Sequence, residues 1–94
     1  MDGPRRVMCV EDDADIRMIL EFSLQRLGGY ELCLCASGQE AIDRVAVFSP
    51  DLVLLDVMMP GLSGPQTLEL LRKLPAMSGV PVVFLTAKDR KSVV

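Results

Sequence analysis

Two runs of four uninterrupted apolar residues, Leu52–Leu55 and Val82–Leu85, constrain what this chain can become more than any other feature. Neither alternates with polar residues, and both are too short for a helix. Such runs suit strands buried on both faces of a parallel sheet. The first run ends in Asp56, and Pro60-Gly61 soon follows with turn chemistry. In open α/β sheets, a carboxylate at the carboxyl end of a buried strand stands where ligands bind. A strand-end Asp is also an ordinary turn residue, so the remaining segments must decide.

Arg6–Val10 reads as a first strand, closed by Glu11-Asp12-Asp13. Asp13 is placed to cap a following helix, with Asp15 in the first turn. Ile16, Ile19, Leu20, Leu24 and Leu27 then recur at helical spacing until Gly28-Gly29 stops the run. Tyr30–Cys35 alternates enough for an edge strand. Ser37-Gly-Gln-Glu40 is a capping-box pattern, and Ala41, Ile42, Val45 and Ala46 give the second helix its inner face. After the Asp56 strand, Ser63-Gly64-Pro65 opens a third helix with Leu68, Leu71 and Leu74 on its buried side, and Pro75 ends it. The succession is βαβαβαβ with short connections, which predicts right-handed crossovers and an open parallel α/β sheet. The 94 residues are read as a single domain.

Composition removes several functions. Aromatics are only 4% of the chain, so the core must come from aliphatic residues and Met. A net charge of −3 and a basic cluster (Lys88, Arg90, Lys91) interrupted by Asp89 argue against nucleic-acid binding. No signal peptide is evident, and no apolar run approaches the roughly 20 residues of a membrane helix. Cys9, Cys33 and Cys35 read as buried reduced thiols, which fits a cytoplasmic protein without membrane contact. There is no histidine, so His-dependent triads and His-ligated zinc are excluded.

If the strands lie in order 2-1-3-4, Glu11, Asp12 and Asp56 converge at the switch point between strands 1 and 3. Three carboxylates so close repel one another. A hard cation such as Mg²⁺ relieves that repulsion while keeping positions for water and phosphate oxygens. A carboxylate beside such a cation can serve as a nucleophile toward a phosphoryl donor, and the Thr86 hydroxyl can donate a hydrogen bond to the phosphoryl group. Asp13 and Asp15 are better explained as capping and first-turn residues.

The segments V-M-C-V-E-D-D, A-S-G-Q-E-A-I, P-D-L-V-L-L-D-V-M-M-P-G-L-S-G and P-V-V-F-L-T-A-K together resemble a CheY-like receiver domain of bacterial two-component response regulators, over about Arg6 to Lys88. The resemblance implies a flavodoxin/CheY-like fold and a signalling acceptor that is not itself an enzyme. It makes Asp56 the phosphoacceptor, charged by a histidine kinase or phosphotransfer protein. It also implies Mg²⁺ bound by Asp12 directly, by Glu11 through water, by Asp56 and by the backbone carbonyl of Met58. Thr86 becomes the hydroxyl that moves onto the phosphoryl group, with Ala87 beside it leaving access.

Receiver domains continue with a fourth helix, a fifth strand and a fifth helix, and the fifth strand brings a lysine to the phosphoryl group. The expectation for these 94 residues is a receiver cut short, in which Lys88 cannot serve as that lysine. Mg²⁺ binding is then expected to survive weakly and phosphorylation to be impaired. The strand-4 edge is expected to be partly uncovered and to support self-association. Two rivals stand beside this reading. One is a receiver scaffold that only binds partners. The other is a Mg²⁺-dependent aspartyl phosphohydrolase of the haloacid-dehalogenase type, for which Met58 stands where the second Asp of Asp-x-Asp is needed.

Overall fold

The computed structural model describes residues 5–85, and Thr86, Ala87 and the basic cluster from Lys88 to Lys91 lie outside the described residues. Four parallel strands, β1 (Arg6–Val10), β2 (Glu31–Cys35), β3 (Leu52–Asp56) and β4 (Val82–Leu85), form one sheet in the order β2-β1-β3-β4. This is the expected order. The chain first winds outward from β1 to β2, then crosses back over β1 to β3, so the switch point falls between β1 and β3.

Strand register sets the two faces. Met8 aligns with Cys33 and Val53, and Val10 with Cys35 and Leu55. These residues point toward α2 (Gly38–Phe48) and α3 (Gly64–Leu71) and are joined in the core by Ala41, Val45 and Leu71. Val7 and Cys9 are also fully enclosed, on the opposite face with Leu52 and Leu54, which stay half-buried.

The helices begin where the caps predict. Asp13 Oδ1 accepts from the Asp15 and Ile16 amides at the start of α1 (Ala14–Leu20). Ser37 Oγ accepts from the Glu40 amide, while the Glu40 carboxylate reaches one residue further back than a capping box requires, to the Ala36 amide. Ser63 and Gln66 form a full capping box at α3.

Three expectations are corrected. The first helix is α-helical only to Leu20, and Glu21–Leu27 is wound as a π-helix. The wider i→i+5 winding advances the chain less per residue, so Leu27 comes round to solvent while Ile16, Leu20 and Leu24 remain half-buried. Ile19 is exposed as well. In α2 the inner face is Gly38, Ala41 and Val45, flanked by Ile42; Ala46 points outward. Finally, Met77–Val80, which the sequence reads as a loop, begins inside a 3₁₀ turn, Pro75–Met77, that buries Met77.

At β4 the expected exposure is present. Val83 is 50% and Phe84 37% exposed, although both belong to an all-apolar strand. No helix among the described residues is long and apolar enough to cross a membrane.

Candidate functional site

The acidic residues sit at the tips of the two central strands. β1 delivers Glu11 and Asp12 immediately past its last residue, and β3 ends on Asp56 itself. One carboxylate oxygen from each of the three lies within 4.8 Å of the others. Glu11 and Asp56 are enclosed by the fold, each with 1% of its surface exposed, and Asp12 is half-buried at the mouth. The predicted convergence of Glu11, Asp12 and Asp56 is therefore observed.

Backbone geometry holds this arrangement in place. The Glu11 amide donates to the Cys35 carbonyl at 2.9 Å, extending the β1–β2 ladder one step beyond the strands. Glu11 Oε2 accepts from the Asp13 amide at 3.0 Å, so the same short turn that caps α1 also fixes the Glu11 side chain. Arg17, one turn into α1, donates from its guanidinium to the Glu11 carbonyl at 2.8 Å. Asp13 is a cap, as expected, and Asp15 lies in the first helical turn.

On the β3 side the loop to α3 is pinned at two points. Met59 is buried in the core, and the Gly64 amide donates to the Val57 carbonyl at 2.8 Å. Gly64 passes so close to the chain that a Cβ there would overlap the Asp56 carbonyl oxygen and press on Val57 Cα. Only glycine fits this approach. Met58 lies on the loop between these anchors with its side chain 58% exposed. Thr86 follows Leu85, the residue paired in register with Asp56, and lies outside the described residues.

Sequence reasoning did not find Gly64 or Arg17. Gly64 looked like part of a helix start, and nothing in Ser63-Gly64-Pro65 reveals that the neighbouring backbone is the Asp56 peptide. Arg17 lies outside the apolar stripe of the first helix, and nothing in its spacing points to the Glu11 carbonyl.

Comparison with known proteins is decisive at this point. The model of the response regulator receiver domain matches residues 7–94. The chain belongs to that family. Among curated relatives it is 48% identical over 84 residues to the "uncharacterized transcriptional regulatory protein YrkP" of Bacillus subtilis, covering 89% of this chain. The chain spans only 34% of that relative's length. Among solved structures it is similar to the receiver domain of the sensor histidine kinase PA1611 from Pseudomonas aeruginosa PAO1. That match has a TM-score of 0.81 and 27% identity, covering 95% of this chain and 75% of the other. The PA1611 structure has a magnesium ion coordinated in its active site cleft. A third match is a crystal structure of the histidine kinase ThkA in complex with the response regulator TrrA. Its TM-score is 0.77 with 35% identity, covering 88% of this chain and 69% of that chain.

Proposed function

We propose that this receiver domain accepts a phosphoryl group on Asp56 from a histidine kinase or phosphotransfer protein, in a Mg²⁺-dependent phosphorelay. The observation that carries the reading is the meeting of the Glu11, Asp12 and Asp56 carboxylates within 4.8 Å at the switch point of the sheet.

The donor set suits the cation. Mg²⁺ binds oxygen at about 2.1 Å, so two oxygens on one ion lie no more than about 4.2 Å apart. A spread of up to 4.8 Å therefore fits when one carboxylate acts through water. Glu11 is suited to that outer place, because its Oε2 is already engaged with the Asp13 amide. Asp12 and Asp56 take the direct positions, with the Met58 carbonyl as a further protein ligand. When bound, the ion neutralises charge on the phosphoryl oxygens.

The rest of the chemistry belongs to the chain. A carboxylate oxygen of Asp56 attacks phosphorus, and the phosphorus–nitrogen bond of the donor phosphohistidine breaks, its electron pair remaining on the imidazole. Burial of Asp56 at the strand tip limits water at the acyl phosphate. Thr86 is the residue assigned to donate its hydroxyl to the phosphoryl group, and the pairing of the preceding Leu85 with Asp56 supports that assignment. The domain is thus an acceptor and not a turnover enzyme, and its place is the cytoplasm.

The test is incubation with acetyl phosphate or beryllofluoride, with and without Mg²⁺, read by intact mass and by a metal titration. Impaired modification of the 94 residues that still needs Mg²⁺ and disappears in Asp56→Asn is expected. Partner binding that is identical in Asp56→Asn, with no modification of the wild type, would favour a receiver scaffold that only binds partners.

A second reading concerns assembly. β4 ends the sheet among the described residues, and the exposure of Val83 and Phe84 there supports the expected self-association. Light scattering across a dilution series should show a dimer, and a folded monomer at every concentration would refute it.

A further inference from the structure

Away from the acidic site, a cavity of about 360 Å³ opens at the other flank of the sheet, lined by Arg6, Cys33, Asp43, Arg44, Val47 and Phe48. Cys33 is 6% exposed and Cys35 fully buried, and their sulfurs lie 4.0 Å apart on the same side of β2. Cys9 is aligned with Leu34 in the ladder and so points to the opposite face. The charged groups at the cavity mouth are largely matched, Arg6 with Glu31 and Arg44 with Glu40. The cavity therefore admits a small reagent without selecting it by charge.

We propose that Cys33 and Cys35 form a thiol modification site, in which a low-molecular-weight disulfide oxidises the pair to an intrastrand bridge. The Cys33 sulfur, reached through the cavity, attacks the reagent. The reagent's S–S bond breaks, and one thiol leaves with the Cys33 proton. Cys35 then attacks the Cys33 sulfur of the mixed disulfide and releases a second thiol carrying the Cys35 proton. The chain loses two electrons and two protons, and the reagent gains both. Residues two apart in a strand stand roughly 6.4–6.8 Å apart at Cα, within the span of about 4.4–6.8 Å that disulfides bridge. Closing the gap requires β2 to buckle at Leu34 and draw the two residues together, a distortion easier in a strand that ends the sheet among the described residues. Such a distortion also reaches the acidic site, because the Cys35 carbonyl holds the Glu11 amide.

The experiment treats the folded protein with dithiodipyridine and follows thiopyridone release, then maps tryptic peptides after alkylation without reduction. Peptide 27–44, which contains both Cys33 and Cys35, should come out two hydrogens lighter, with two thiopyridones released for each such chain. Cys35→Ala should instead stop at a stable mixed disulfide on Cys33. Should that variant fail to fold, the wild-type map decides alone. A Cys33 adduct that persists in the wild type, reaction confined to Cys9 in peptide 7–17, or no reaction in the folded protein would overturn the proposal. The Glu11 amide resonance should move on oxidation, and an unmoved resonance in the bridged protein would overturn the link to the acidic site.

Discussion

On the side of the sheet that carries α2 and α3, Met8, Val10, Val53 and Leu55 are all closed to solvent. On the other side Leu52 and Leu54 remain half-buried, while Met18, Ile19 and Phe22 of the first helical segment face water. The residue types are alike on both sides. What differs is cover. Among the described residues two helices lie across the first face, whereas the second receives α1 and its π-wound extension, which leans toward β2. A four-stranded sheet needs more than one helix to seal a face, so the apolar content of β3 and β4 does not by itself determine burial. The acidic site is mounted where the sealed face meets the strand tips.

This contrast is easiest to break with a pair of matched truncations. Leu55→Ala empties a fully enclosed position and should cost about 2–5 kcal/mol. Leu54→Ala, one residue earlier and half-buried, removes less enclosed surface and should cost about half as much. Urea denaturation of both variants measures the difference. Equal losses would show that the second face is as well packed as the first.

Gly64→Ala asks whether the sealed side also sets the site. The added methyl has no room against the Asp56 carbonyl and Val57, so a loss of about 1–3 kcal/mol is expected from overpacking. Because the displaced peptide is that of Asp56, Mg²⁺ affinity should fall as well. A variant as unstable as predicted but with unchanged Mg²⁺ titration would separate packing from positioning.

Asp56→Asn should act in the opposite direction on stability. Removing one of three converging carboxylates relieves repulsion, and a gain of about 1 kcal/mol would raise Tm by about 4–8 °C for a domain of this size. The gain should shrink when Mg²⁺ is added to both proteins, since the wild type then has its charge compensated. Thermal melts with and without the ion provide the check.

How much of this was legible beforehand follows the same division. Strand positions, the three caps and the acidic strand ends at Glu11, Asp12 and Asp56 could be read because each rests on local chemistry: apolar runs, a side-chain acceptor before a helix, a carboxylate at a strand end. The strand order that makes them converge came from the resemblance. Leu27 and Ala46 were misplaced because helical spacing assumes a uniform winding and does not say how wide the covered stripe is. The close approach of Gly64 to Asp56 depends on two backbones eight residues apart, and no residue-level pattern encodes that distance. The Cys33–Cys35 pair was legible as buried thiols. The cavity beside it was not, since it is made by Arg6 and Phe48 from distant parts of the chain. Burial pushes the Cys9 thiol up to about 12 and the Cys35 thiol up as well, the latter with help from Cys33.

Both faces hang on the β1–β3 seam, and its lower end has its own clamp. The amides of Arg5 and Arg6 both donate to Asp51 Oδ2, which holds the Asp51 carboxyl below its usual range. A depressed carboxylate pKa stabilises the fold above the unfolded value of about 4, and that contribution is lost as pH falls through the folded value. Asp51→Asn should therefore approach the wild type only in acid below the depressed folded value, where both lack the charge. It should be less stable from about pH 5 upward. A difference that grows toward acid would mean that the clamp is not ionic.

The smallest effect should come from the uncovered side. Phe22 is 53% exposed, on the π-wound segment beside Met18 and Arg26. If that face is as open as the geometry shows, Phe22→Ser removes little buried area and should change stability by no more than about 0.5 kcal/mol in either direction. Leu24, two residues on and half-buried, is the internal control, and its truncation to Ala should be plainly destabilising in the same urea series. A large loss at Phe22 with a small one at Leu24 would mean that the segment is wound as an ordinary α-helix in solution, with a different stripe turned toward the sheet. The contrast between the two faces would then have to be redrawn around that helix.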